Sequence, residues 1–375
     1  SYHYDSFSSK FYSLLELIIT RNNKYMKILF DELNKFSYSK MNKEDYQISE
    51  NKNPPGLKNL GATCYLNSSI QQLCNIKEFC DIILQQTIED NDWFLPFQRL
   101  LAQLTYLPLE VINPKPFVSK FKLFGENINT HEQLDATEFI HFLIDSLTDL
   151  VPQINDIFSG KIVHEIVGND VDFKCKCFEN FTLFPLEVKD HKSIQESFKT
   201  FLKPDDLSGN EQYSTTEYGK INAKRYHKIS KLPSILIFHL KRFAYNLDTG
   251  LNEKIYNNYE FSNVLDLYDL MDNPEHQMYD LIGVQMHYGS TSHGHYYSYS
   301  QHKITKKWYE YNDEKVTEFN LDDLPYYAFG NEDSRYQENY PSAYVLFYRK
   351  REMTKIDEKP FNPKVISEIS DEIKS

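Results

Sequence analysis

Cys64 has the strongest claim to chemistry in this chain. It sits in Gly56-Leu57-Lys58-Asn59-Leu60-Gly61-Ala62-Thr63-Cys64-Tyr65-Leu66-Asn67-Ser68, where two glycines permit a tight turn. Leu66, Ile70, Leu73 and Cys74 then recur at helical spacing, which predicts a buried helix with Cys64 at its first position and Thr63 as its N-cap. Unpaired N–H groups and the positive end of the helix dipole favour a thiolate there. Asn59, five residues upstream, is placed to turn its amide toward the same point and donate to an oxyanion beside the Cys64 N–H. The competing reading is a small apolar cysteine packed in a core, the usual fate of an isolated thiol.

A cysteine nucleophile needs a histidine base, and the base needs a third group to orient it. The chain has 12 histidines. The informative stretch is His287-Tyr288-Gly289-Ser290-Thr291-Ser292-His293-Gly294-His295-Tyr296, a run of small residues entering a strand at Gly294-His295. A histidine at the mouth of a strand can project into a cleft. His287 and His293 are rivals that read as surface or loop residues. Downstream, Trp308-Tyr309-Glu310-Tyr311-Asn312-Asp313 places Asn312 and Asp313 on opposite faces unless the strand ends there, so one of the two faces His295.

The elements that must position these groups fall into two halves. Residues 64–150 read as mostly helical, and a later helix carries Leu134, Phe139, Phe142, Leu143 and Leu147. Thr130 and Gln133 have capping-box spacing ahead of it, and Asp135 and Glu138 sit three apart on one helical face, either as a solvated acidic face or as a clamp for a basic peptide. Strand patterns follow at 161–167 and 171–177, then a polar stretch from Lys203 to Lys224 without strong periodicity. From Leu232 onward strands dominate: Ser234–Leu240, Tyr279–Met286, Gly294–Ser300, Lys307–Asn312 and Ala343–Arg349. Helices first and strands second predict an α+β fold. Two helical stripes, Phe11 to Ile19 and Met26 to Leu33, predict an N-terminal hairpin that ends at Asn51-Lys52-Asn53-Pro54-Pro55-Gly56. The end, from Glu352, is charged and is expected to fray.

Composition narrows the partners. A formal net charge of −13 argues against nucleic acid and favours a basic protein or peptide. Tyr (28) and Phe (26) are abundant enough to furnish a protein-binding groove. Five cysteines in 375 residues, at 64, 74, 80, 175 and 177, imply free thiols in a reducing compartment, cytoplasmic or nuclear. No apolar run reaches membrane-spanning length, and Leu14–Ile19 lacks the flanks of a signal peptide. The chain starts without Met and reads as part of a longer one.

Taken together, the stretches resemble the ubiquitin-specific proteases, the papain-like deubiquitinases. Gly56–Gln72 is similar to their cysteine box and Tyr279–Val316 to their histidine box. Gln133–Phe139, Leu232-Pro233, His239–Phe243, Tyr259-Glu260-Phe261 and Ser342–Tyr348 follow in the family's order, so the resemblance spans residues 54–350. The nearest likeness is to large members that carry this domain within helical-repeat chains. The resemblance implies a papain-like fold of thumb (about 54–160), fingers (about 161–230) and palm (about 231–350), flanked by an N-terminal helical extension (1–53) and a polar tail (351–375). It implies Cys64 as nucleophile, His295 as base, Asn312 as orienting residue with Asp313 assisting, and Asn59 in the oxyanion hole. Asp135 and Glu138 match positions that hold the basic ubiquitin tail, and Tyr296 one that lines its narrow channel.

Two departures stand out. Many members hold a structural zinc through two Cys-x-x-Cys pairs; here the first is Cys175-x-Cys177 and the second's place, Tyr213–Gly219, has no cysteine. His164, His191 or His227 could complete a site, but two thiols do not close a tetrahedron, and the expectation is fingers without metal and a protein without cofactor. Ser292-His293-Gly294 also stands where a Gly-Gly pair usually precedes the base. The expected activity is hydrolysis after the C-terminal glycine of ubiquitin in conjugates or polyubiquitin. The alternatives are a silent ubiquitin-binding scaffold, against which an intact Cys64, His295 and Asn312 argue, or a protease for another ubiquitin-like modifier.

Overall fold

The structure is a computed structural model and describes residues 53–107, 109–246, 250–290, 293–331, 340–352 and 361–374. The N-terminal hairpin expected over 1–53 lies outside the described residues except for Asn53. The fold is α+β, a helical layer against a large sheet. Helix α1 (Cys64–Cys74) is buried at every position, because α2 (Lys77–Gln85), α3 (Phe94–Tyr106) and α4 (Ala136–Leu150) surround it on one side and the sheet on the other, with α5 (Gln153–Phe158) packed on α2 and α4. No described helix is long and apolar enough to cross a membrane.

A four-stranded antiparallel sheet comes next, from β1 (Gly160–Gly168), β2 (Lys174–Phe181), β4 (Asp205–Leu207) and β5 (Ala223–Lys231), in the order β2-β1-β5-β4. The larger sheet takes β3 (Leu183–Glu187), β6 (Ile235–Lys241), β7 (Val264–Asp266), β8 (Met278–Gly289), β9 (Gly294–Gln301), β10 (Trp308–Asn312), β11 (Lys315–Phe319) and β12 (Ser342–Lys350). Its order is β11-β10-β9-β8-β12-β6-β3, with β7 pairing on β8, and β3–β6 is its parallel pair. Both faces of its centre are covered. Ile235 and Ile237 point into the helical core, while Leu236, Phe238 and Leu240 point into a second core that includes Ile194 and Phe198 of α6 (Ile194–Leu202). Two covered faces are why β6 reads as an unbroken apolar run.

Several expectations fail for local reasons. The helix near residue 136 is not capped by Thr130 with Gln133. Asp135, with extended φ −72° and ψ 131°, is the N-cap of α4, and its carboxylate accepts from the Thr137 N–H. Asp135 and Glu138 are therefore a cap and a first-turn residue and not two positions of one helical face; Asp-x-x-Glu had capping spacing too, in the frame that wins. The polar stretch from 203 to 224 holds β4 and a short antiparallel pair, Tyr213–Thr215 with Gly219–Ile221. The chain end does not simply fray. Pro363–Lys374 forms α7, and Phe361, Val365 and Ile369 are buried against α3. Asn362 fixes it there, donating from its backbone to the Leu84 carbonyl (2.8 Å) and from Nδ2 to Gln98 Oε1 (3.2 Å).

Candidate active site

Helix α1 starts at Cys64 because the preceding loop is tied down at Gly61. Gly61 has φ +138°, and a Cβ there would meet the Thr130 carbonyl oxygen at 2.5 Å, where Ala62 N–H also donates (2.6 Å). Thr63 occupies the N-cap position but makes no side-chain cap bond. Its hydroxyl accepts from the Leu60 N–H (3.0 Å) and donates to Asn59 Oδ1 (3.2 Å), so it shapes the loop instead. Asn59 Oδ1 also accepts from the Gly61 and Thr63 N–H groups. That fixes the amide so that Nδ2 donates to Asp313 Oδ2 at 2.7 Å with one of its two N–H bonds.

His295, the second residue of β9, meets Cys64 across the layer boundary, close enough for the charge of one to act on the other. Its Nε2 lies 2.7 Å from Asn312 Oδ1. A carbonyl oxygen only accepts, so Nε2 carries the proton and Nδ1 is left for Cys64. Asn312 ends β10, paired with Lys315 of β11, and Asp313 turns the hairpin with φ +50°. The strand ending at that point lets neighbouring side chains converge. Asn312 faces the imidazole, and Asp313 Oδ2 lies 4.0 Å from Nε2. The pairing with Cys64 and the bond to Asn312 raise the His295 imidazole to about 9, against the opposing effect of partial burial.

Asp313 does more than stand near the His295 imidazole. Its Oδ1 accepts from Asn67 Nδ2 (2.8 Å), its Oδ2 from Asn59, and its carbonyl from the Leu57 N–H (2.8 Å). One carboxylate thus joins α1, the loop before it and the hairpin that carries Asn312. Asn67 is a site residue that the sequence reading did not single out. Its signal was an amide one turn beyond Cys64, shared with the polar Ser68, Ser69, Gln71 and Gln72 of the same buried helix.

The other candidates are less open than expected. Asp135 Oδ1 accepts from the Thr137 N–H and hydroxyl, and its Oδ2 from the Tyr344 hydroxyl, while Glu138 is exposed. Tyr296 is buried beside Tyr344 and His287, on the helical-core side of β9. His287 is not a surface residue: it is 2% exposed, and burial drives its imidazole down to about 2, so it stays neutral. The reason is its place on β8, a strand covered on both faces. His293 is exposed.

His287 also explains Gly294. A Cβ at Gly294 would fall 2.2 Å from His287 Nε2 and 2.9 Å from the Tyr288 carbonyl oxygen, so His295's strand would have to move. Gly294→Ala is expected to lower the unfolding free energy in urea by about 1–3 kcal/mol; an unchanged value would show that the contact relaxes without cost.

The four-stranded sheet does not fit a zinc ion. Cys175 Sγ is directed at the Tyr213 hydroxyl and Cys177 Sγ at the His164 carbonyl. His164 and His227 meet through their Nδ1 atoms (2.8 Å), and their Nε2 atoms contact Glu179 and Asp205. His191 is held by the Lys189 carbonyl and the Thr200 hydroxyl. Among the described residues no group of three or more His, Cys, Asp and Glu is placed to hold a metal.

Comparison with known proteins agrees with the geometry. The family model described as ubiquitin carboxyl-terminal hydrolase matches residues 55–348. Ubiquitin carboxyl-terminal hydrolase 34 of Homo sapiens is 29% identical over 364 residues, covering 84% of this chain and 10% of the human protein. Ubiquitin carboxyl-terminal hydrolase 15 of Saccharomyces cerevisiae is 28% identical, covering 93% of this chain and 32% of its own length. Ubiquitin carboxyl-terminal hydrolase 5 of Schizosaccharomyces pombe is 29% identical, covering 85% and 30%. The chain thus spans a third or less of each of these relatives.

Proposed function

The chain belongs to the ubiquitin carboxyl-terminal hydrolase family, and on that premise we propose that it is a thiol-dependent deubiquitinase acting on ubiquitin–protein conjugates or polyubiquitin. The observation that carries the reading is His295 held between Cys64 and Asn312 in the tautomer a cysteine nucleophile requires. The Cys64 thiolate attacks the carbonyl carbon of the terminal glycine. The developing oxyanion is met by the Cys64 N–H and the second N–H of Asn59. His295 gives its Nδ1 proton to the departing lysine amine, and the thioester is then hydrolysed by water that His295 deprotonates. Asn312 keeps the ring oriented throughout.

On this reading the helices of 54–160 form a thumb, the four-stranded sheet within 161–230 the fingers, and the large sheet within 231–350 the palm. Glu138 offers a carboxylate to the basic tail of ubiquitin. Asp135, with its oxygens engaged by Thr137 and Tyr344, shapes the channel wall together with Tyr296. The five cysteines are thiols, which suits the reducing cytoplasm or nucleus.

The test is turnover of ubiquitin bearing a C-terminal fluorogenic amide, against the same amide on other ubiquitin-like modifiers. Turnover of ubiquitin is expected, and turnover of another modifier alone would overturn the substrate assignment. The pH profile adds a signature. A raised imidazole keeps its proton well above the ordinary range, so kcat/KM is expected to hold through neutral pH and fall as pH rises through about 9. Asn312→Ala removes one of the interactions that favour the charged ring and should bring that alkaline limb to lower pH. A limb near 6.5 in the parent enzyme would contradict the pairing.

A further inference from the structure

A second thiol centre lies at the far end of α1. Cys74 is the last residue of that helix, Cys80 sits in α2, and both are buried. Between them comes Lys303, from the turn joining β9 to β10 and only 8% exposed. Its ammonium donates to the Cys74 carbonyl (2.8 Å), Thr105 Oγ1 (2.7 Å) and Cys80 Sγ (3.1 Å), with Cys74 Sγ at 3.7 Å. Thr105 spends its proton on the Leu101 carbonyl (2.6 Å), so it accepts from the lysine. The Cys80 thiol in turn donates to the Cys74 carbonyl (3.1 Å).

None of the hydrogen-bond acceptors that Lys303 has among the described residues is a carboxylate. A buried ammonium without a counter-charge is costly, and the acidic groups it touches are two thiols. One thiolate shared by the pair neutralises it. The neighbouring Cys80 thiol and the charge of Lys303 hold the Cys74 thiol down to about 6, while burial pushes Cys80 the other way. A thiolate against a thiol, both beside a fixed cation, is the arrangement of an oxidisable dithiol.

We propose that Cys74 and Cys80, charged against Lys303, form a redox-modifiable dithiol that hydrogen peroxide converts to a disulfide. The Cys74 thiolate attacks one peroxide oxygen and the O–O bond breaks. Hydroxide leaves, and Cys74 becomes a sulfenic acid. The Cys80 sulfur then attacks the Cys74 sulfur, the S–O bond breaks, and water departs with the Cys80 proton. The two thiols lose two electrons in total, and the peroxide, with the protons released, ends as two waters. The proposal is independent of the substrate of the catalytic site.

The test uses the full chain with Cys64→Ala, which removes the catalytic thiol from the reaction. After peroxide treatment, denaturation and alkylation, peptide mapping is expected to find residues 74 and 80 joined, with two hydrogens lost. Lys303→Met should slow that reaction roughly tenfold or more, since the thiolate loses its cation. Cys80→Ser keeps the thiolate and removes the resolving sulfur, so peroxide should leave Cys74 as a sulfenic acid that dimedone captures. This second variant carries the test even where Lys303→Met does not fold. The proposal is overturned if residues 74 and 80 stay free thiols while Cys175 and Cys177 are oxidised. Joining at an unchanged rate in folded Lys303→Met, or no dimedone adduct at Cys74 in Cys80→Ser, would also overturn it.

Discussion

Cys64→Ala is expected to abolish hydrolysis of ubiquitin amides while leaving ubiquitin binding within a fewfold of the parent. On the proposed mechanism the thiol sulfur is the atom that bonds to substrate, and no neighbouring side chain replaces it. His295 is already engaged by Asn312, and Asn59 and Asp313 are engaged with each other. The expected loss is on the order of 10⁴-fold or more in kcat. The substitution should not disturb the fold, because alanine continues α1 and Cys64 makes no cap. Stopped turnover with retained binding, measured by fluorogenic assay and calorimetry, would place the loss in chemistry. Residual turnover near the parent level would remove Cys64 from the nucleophile's role.

Asp313→Ala should cost more than Asn312→Ala. Asn312 contributes one hydrogen bond that orients the base. Asp313 holds the side-chain amides of Asn59 and Asn67 and the Leu57 backbone, and stands 4.0 Å from the His295 ring. Its loss frees Asn59 to leave the oxyanion position and lets α1 shift against the hairpin. Losing an oxyanion donor alone is typically a factor of about 10²–10³, so kcat should fall by at least that much in Asp313→Ala, with KM little changed. A fall in kcat at constant KM is what a positioning role predicts, whereas a general loosening would show in thermal stability and KM together. Asp313→Asn keeps an acceptor for one amide and should recover part of the rate. Equal effects of Asn312→Ala and Asp313→Ala would contradict this hierarchy.

The sequence carried the residues proposed to react better than the clamp that aligns them. Cys64 was legible because it breaks into a helical apolar pattern straight after a glycine turn, and His295 because small residues lead into its strand. Helix α1, most strand positions and the α+β order followed from the same periodicities, while the strand expected at 171–177 runs instead from Lys174 to Phe181. The Asn67–Asp313 bond was not legible, since it joins residues 246 positions apart and neither is unusual in its own neighbourhood. Two capping pairs competed before α4, and the structure takes the Asp135 frame, where the carboxylate accepts from the Thr137 N–H and the Tyr344 hydroxyl. His287 looked like a loop histidine because its partners are distant aromatics, Phe243 and Tyr344. Helix α7 was hidden by its charge; three buried residues in a polar segment suffice to dock it once α3 offers a groove.

The central claim, that Cys64 is the nucleophile of a ubiquitin hydrolase, is met most directly by ubiquitin carrying a thiol-reactive group in place of its C-terminal carboxylate. The parent chain should acquire one ubiquitin through a bond that peptide mapping assigns to Cys64 among five cysteines. Cys64→Ala should acquire none while still binding ubiquitin reversibly. Binding without any adduct in the parent chain would instead describe a silent ubiquitin-binding scaffold, and an adduct on any other cysteine would contradict the assignment.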